Sequence, residues 1–148
     1  MKKQKIYFFL CIAALFLSGI SCNSTEDDVI SYTVSESVRV SGFSLAANDS
    51  VLAHLDTIFF TIDLNKGQIY NADSLPVGTD VSALIANISF DNVAQAKIYM
   101  DKGDPAKNDT IDYIANPTDS IDFTSKVSLE VTAQNGTTVK WYSVKVNV

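Results

Sequence analysis

In Val127-Ser-Leu-Glu-Val-Thr-Ala133 every second residue is apolar, and a period of two is that of a half-buried β-strand. Gln134-Asn-Gly-Thr137 interrupts the alternation, which resumes at Val139 and puts Tyr142, Val144, Val146 and Val148 on one side. An Asn-Gly pair between two alternating runs predicts a β-hairpin, because both residues accept the left-handed backbone of a tight turn between twisted strands. Ser128, Glu130, Thr132, Ser143, Lys145 and Asn147 take the opposite face. One face therefore meets a core and the other meets water, as in an antiparallel sandwich.

The pattern extends upstream. Short runs of β-branched and aromatic residues, punctuated by Asn, Asp and Gly, predict strands over 38–45, 57–64, 68–71, 83–90, 95–100 and 110–115. In the first of these the alternation changes phase at Gly42, from Val38 and Val40 to Phe43 and Leu45, so a bulge or a switch between sheets is expected there. Residues 46–55 and 81–87 offer a turn or two of helix at most, since neither has a capped 3.6-residue pattern. Residues 38–148 are expected to form one all-β domain, an antiparallel β-sandwich large enough to bury roughly two-thirds of its unfolded surface.

Ahead of this domain the pattern is different. Met1-Lys-Lys-Gln-Lys5 is basic, residues 6–17 are nearly all apolar, and small residues follow up to Cys22. That order is the layout of a secretory signal. The apolar run is shorter than the ~20 residues of a membrane-crossing helix. Of the two cysteines, Cys11 lies inside the apolar run and Cys22 at its border, so an exported domain holds no internal disulfide. Ser21 directly before Cys22 resembles a lipoprotein lipobox, with Gly19 where Leu is usual. The resemblance implies cleavage before Cys22 and transfer of a diacylglycerol group to its thiol. One acyl chain anchors marginally and two or three anchor stably, at about 0.8 kcal/mol per buried CH₂. Residues 1–21 are thus expected to be a signal peptide and 22–37 an acidic tether. A soluble secreted protein with Cys22 as a spare thiol is the other reading.

Loss of Lys2, Lys3 and Lys5 with the signal takes the formal charge from −6 to −9. Such a surface repels nucleic acid and anionic lipid alike. With one histidine (His54) and one arginine (Arg39) there is little material for a catalytic cluster, and no enzyme activity, cofactor or nucleic-acid partner is expected. His54, beside Leu52 and Leu55, reads as a structural or solvated loop residue.

Three stretches carry a family likeness: 59–79 (FFTIDLNKGQIYNADSLPVGT), 119–124 (DSIDFT) and 131–148 (VTAQNGTTVKWYSVKVNV). Together they resemble the N-terminal domain of a Bacteroidetes surface-lipoprotein family of unknown function. The last stretch also resembles the closing hairpin of immunoglobulin-like and cadherin-like modules. The resemblance implies a sandwich of about seven strands held at the outer membrane by its lipid. Ser24-Thr-Glu-Asp-Asp28 resembles the signal that sends such lipoproteins to the cell surface, with the periplasmic face as the alternative. Family members usually continue into a kelch-like β-propeller, and this chain ends where the propeller would begin. Either a shortened form or a partner encoded elsewhere is expected.

The implied role is a spacer or interaction module with a protein or glycan partner. The alternatives are a glycan-binding lipoprotein of a polysaccharide-uptake system and a subunit of a surface fibre. Trp141 falls on the polar face of the last hairpin, where it either forms a glycan platform with Tyr99 or Tyr113, or is covered by a loop or a neighbouring domain. Asp101, Asp104, Asp109, Asp112, Asp119 and Asp122 match no calcium-loop spacing and read as turn residues, so no metal site is expected. Asp-(Ser/Thr)-aliphatic occurs five times and resembles the O-glycosylation sequon of exported Bacteroides proteins. The implied acceptors are Ser50, Thr57, Ser74, Thr110 and Ser120.

Overall fold

A computed structural model describes residues 34–148, so the expected signal peptide, Cys22 and most of the expected tether lie outside the described residues. Eight strands follow in order: β1 (Arg39–Leu45), β2 (Thr61–Asp63), β3 (Gln68–Tyr70), β4 (Ala86–Asp91), β5 (Val93–Asp101), β6 (Asp109–Asp112), β7 (Lys126–Ala133) and β8 (Val139–Lys145). β1 pairs antiparallel with β4 in a two-stranded sheet, and the other six form a sheet in the order β2-β3-β8-β7-β5-β6. The arrangement is an all-β sandwich. Its large sheet contains one parallel pair, β3 with β8, among otherwise antiparallel neighbours.

The closing hairpin follows its alternation. Val127, Leu129, Val131, Ala133, Tyr142 and Val144 are buried, and Gly136 turns the chain at φ 72° with its N–H donating to the Ala133 carbonyl. The phase change in β1 is a register shift between Val40 and Gly42. A Cβ on Gly42 would lie 3.3 Å from that of Ser89, so glycine also lets the two strands approach closely. The strand expected over 57–64 is shorter. Leu55–Thr57 forms a 3₁₀ turn, entered through His54 at φ 61°, and buries Leu55; only Thr61–Asp63 is left to pair. Only Leu55 of that turn falls within 46–55, which otherwise forms turns, and residues 81–87 supply no helix, with β4 beginning at Ala86.

Leu45, Leu84, Ile69, Ile98, Ile121 and Leu129 are fully buried between the sheets, with Phe43 against Phe60 at 4.8 Å and Phe90 edge-on to Tyr113 at 5.8 Å. Two tyrosines cross this core to the backbone of the small sheet. The Tyr113 hydroxyl accepts from the Ile88 N–H at 2.8 Å and donates to the Ala86 carbonyl at 3.1 Å, and the Tyr142 hydroxyl accepts from the Val40 N–H at 3.4 Å. Backbone groups that a two-stranded sheet leaves unpaired are thereby satisfied without a third strand. At the end of β8 the buried Asn71 continues the parallel ladder with its side chain. Its Oδ1 accepts from the Asn147 N–H at 2.7 Å, its Nδ2 donates to the Asn147 and Asp73 carbonyls, and Asn147 Nδ2 donates back to the Asn71 carbonyl.

Candidate functional site

The strand registers lay out the solvent face of the large sheet in rows. Asp112, Lys97, Glu130 and Trp141 lie across β6, β5, β7 and β8; the next row runs Thr110, Tyr99, Ser128, Ser143, Gln68 and Asp63. Ser128 and Ser143 are small, and the two large aromatics lean over β7 towards each other. Tyr99 and Trp141 sit 5.4 Å apart between ring centroids with planes tilted 33°, although a strand separates them. The Tyr99 hydroxyl donates to Glu130 Oε2 at 3.0 Å. Burial, reinforced by the Glu130 carboxylate, pushes the Tyr99 hydroxyl above the usual phenol range. Tyr99 is half-buried under this roof, whereas Trp141 remains 54% exposed.

Trp141 is therefore not covered by any described loop, and its ring plane is tilted 33° from that of Tyr99. At 5.4 Å between centroids the two rings are neighbours, and more than half of Trp141 is open to solvent. Tyr113 does not belong with them. It is buried on the core side with its hydroxyl fully used by β4, a placement that follows from its sharing the inward side with Ile111.

Beside Trp141 the turn between β2 and β3 forms one wall of a shallow groove of about 320 Å³, lined by Leu64, Lys66, Lys140 and Trp141 among others. Gly67 sets that wall. At φ 61° it bends the turn against β8, where its carbonyl accepts from the Ser143 N–H at 2.8 Å, and a Cβ would lie 2.6 Å from the Trp141 carbonyl oxygen. Leu64 is 50% exposed, and Val139, two residues before Trp141 on the same face, 43%. Lys66 lies 3.7 Å from Asp63 Oδ2, and among the described residues no carboxylate lies within 4.0 Å of the Lys140 ammonium.

The carboxylates close turns. Asp63 accepts from the Asn65 and Lys66 N–H groups, Asp101 from Gly103, Asp104 from Ala106, Asp112 from Ala115 and Asp122 from Thr124. Asp109 pairs with Lys102 at 3.0 Å, and Asp119 is exposed. Four aspartates are held below the usual carboxylate range: Asp63 chiefly by the Lys66 N–H, Asp80 by the Ser82 hydroxyl, Asp91 by Arg39 and Asp122 by the Thr124 hydroxyl. Among the described residues no three His, Cys, Asp or Glu side chains gather to hold a metal ion, and no helix is long and apolar enough to cross a membrane.

Ser50, Thr57, Ser74, Thr110 and Ser120 are all exposed, each after an exposed aspartate and before a residue that turns inward, wholly or in part. The hydroxyls of Ser50 and Thr57 donate to Asn48 Oδ1 and to the His54 carbonyl. His54 is exposed, and its contribution is the backbone turn. The groove beside Trp141 was not legible in the sequence, because Leu64 and Lys66 reach β8 only through the parallel pairing of β3. Val139 and Trp141, by contrast, share a face by simple alternation.

A family described as Domain of unknown function (DUF6242) N-terminal domain matches residues 31–146, most of the chain. No curated protein and no solved structure matches it.

Proposed function

The chain belongs to the family of the DUF6242 N-terminal domain, and from that premise we propose that it is a lipid-anchored lipoprotein of the Bacteroidetes cell envelope. Its immunoglobulin- or cadherin-like sandwich is a non-enzymatic spacer and interaction module. The observation that carries the anchor is Cys22, the single thiol outside the apolar run, placed thirteen residues before Ser35, where the described domain is already hydrogen-bonded. The module role is supported by the aspartates. They serve their own turns, and the prominent unengaged surface is aromatic and lies on a sheet face. The acidic stretch after Cys22 favours display on the outer surface over the periplasmic face.

The experiment is fractionation of cells carrying the native chain or Cys22→Ala. The native chain pellets with membranes and the variant does not; a variant that still pellets removes the anchor. Proteinase added to intact cells then distinguishes surface from periplasmic display.

Exposure of Trp141 beside Tyr99 favours glycan binding as the second reading, with Trp141 stacking on a sugar ring. Strand addition in a fibre has less support. The outer strands of the large sheet are three and four residues long, and the tyrosine hydroxyls already hold backbone of the small sheet. The five exposed Asp-(Ser/Thr)-aliphatic sites are proposed O-glycosylation acceptors, and an intact mass of native protein without added hexose would remove that proposal.

A further inference from the structure

Two hydrogen bonds show where the chain enters the domain. The Asn135 N–H donates to the Ser35 carbonyl at 3.2 Å and the Gln134 N–H to the Asn92 carbonyl at 3.1 Å. The turns between β7 and β8 and between β4 and β5 therefore gather with Ser35 at one end of the sandwich. β8 leaves that end through Val139, Lys140 and Trp141, and the β2–β3 turn brings Leu64 and Lys66 beside them. Three of the exposed large apolar side chains, Leu64, Val139 and Trp141, are thus collected with Lys66 at the Ser35 end of the solvent face, while Lys140, between Val139 and Trp141, falls on the opposite face of β8.

A lipid on Cys22 is joined to Ser35 through thirteen residues, a reach of at most about 45 Å when fully extended. The Ser35 end is the end of the described domain to which such a tether attaches. Tryptophan and tyrosine with one apolar and one polar end, rimmed by lysine, suit the headgroup layer, where the ring sits at the boundary and the ammonium reaches phosphate. The remaining acids of this patch are engaged: Glu130 with the Tyr99 hydroxyl, Asp63 with its own turn and Lys66. Glu36 is exposed nearby and Asp112 stands across the sheet in the Lys97 row. The whole chain is acidic, so attraction is local and depends on the anchor holding the patch at the surface.

We propose that Trp141, Leu64 and Val139, flanked by Lys66, form a contact surface for the phospholipid headgroup layer of the bilayer that carries the anchor. This rests on acylation of Cys22. Trp141 is the single tryptophan of the chain, so fluorescence reports on this patch alone.

The test places the full acylated chain in vesicles of phosphatidylethanolamine and phosphatidylglycerol, made with and without acyl chains brominated near the headgroup, and follows flotation and Trp141 emission together. The expected result is that the chain floats with both vesicles, that emission is shifted to the blue of the Cys22→Ala chain in buffer, and that brominated lipid quenches it. The Lys66→Glu chain should still float with most of the quenching lost. Flotation with equal emission in both vesicle types overturns the contact and leaves the anchor standing, with the face open to a soluble protein or glycan. Absence of flotation overturns the anchor and the contact together.

Discussion

The two ends of the large sheet are finished in different ways. At the end where Asn71 meets Asn147, side-chain amides complete the ladder, the Leu75 N–H donates to the Asn147 carbonyl, and Asp122 and Asp101 close adjoining turns on themselves. Polar groups there are committed to holding the fold. At the Ser35 end, Trp141, Leu64 and Val139 stand half exposed beside Lys66. That surface contributes little to the core. The difference separates a structural end from an end available for contact, in a domain whose sequence gives both similar alternating strands.

Substitution at the structural end should cost most. Asn71→Ala removes three hydrogen bonds of a fully buried side chain and leaves the Asn147 N–H without its acceptor, a loss of roughly 2–3 kcal/mol in urea unfolding. A loss near zero would mean that this end is not held by the amide pair. Gly67→Ala tests the hinge of the contact end. It forces a side chain into φ 61° and onto the Trp141 carbonyl, and should cost about 1–2 kcal/mol while displacing the β2–β3 turn. Unchanged stability and unchanged Trp141 emission would show that the turn does not depend on that close approach.

Acid should weaken both ends. Asp63, Asp80, Asp91 and Asp122 have folded-state pKa values below their unfolded ones, so the unfolded chain binds protons first. Their contribution is fully present well above about pH 4, the unfolded carboxylate range, and is lost as pH falls through the lower folded values. The urea midpoint should therefore drop below about pH 4, and Asp122→Asn should reduce the size of that drop. The smallest effect on stability is expected at the most exposed site of the patch. Trp141→Ala gives up the Tyr99 stack and little else, within about 1 kcal/mol. A larger loss would make the tryptophan a structural residue and remove the contrast between the ends.

Legibility in the sequence followed the range of the interactions. The closing hairpin and the Gly42 bulge were readable because alternation and its phase are local. The inward side of Tyr113 was also readable, since it lies two residues from Ile111, but a tyrosine with a free hydroxyl invites a surface role until an acceptor such as Ala86 O is seen. The parallel pairing of β3 with β8 joins residues more than seventy positions apart and leaves no local trace. The Asn71–Asn147 pair and the groove formed by Leu64, Lys66 and Trp141 depend on it. Trp141 was placed on the right face by alternation alone, whereas its stack on Tyr99 across β7 required the register and the small side chains of Ser128 and Ser143.

The proposed acylation of Cys22 underlies the proposed membrane contact of the Ser35 end. Its most direct test is the intact mass of the chain extracted from cell membranes. A mass beginning at Cys22 and increased by a diacylglycerol group, with or without a further acyl chain, is the predicted result. An unmodified mass, or a chain that begins elsewhere, would contradict it.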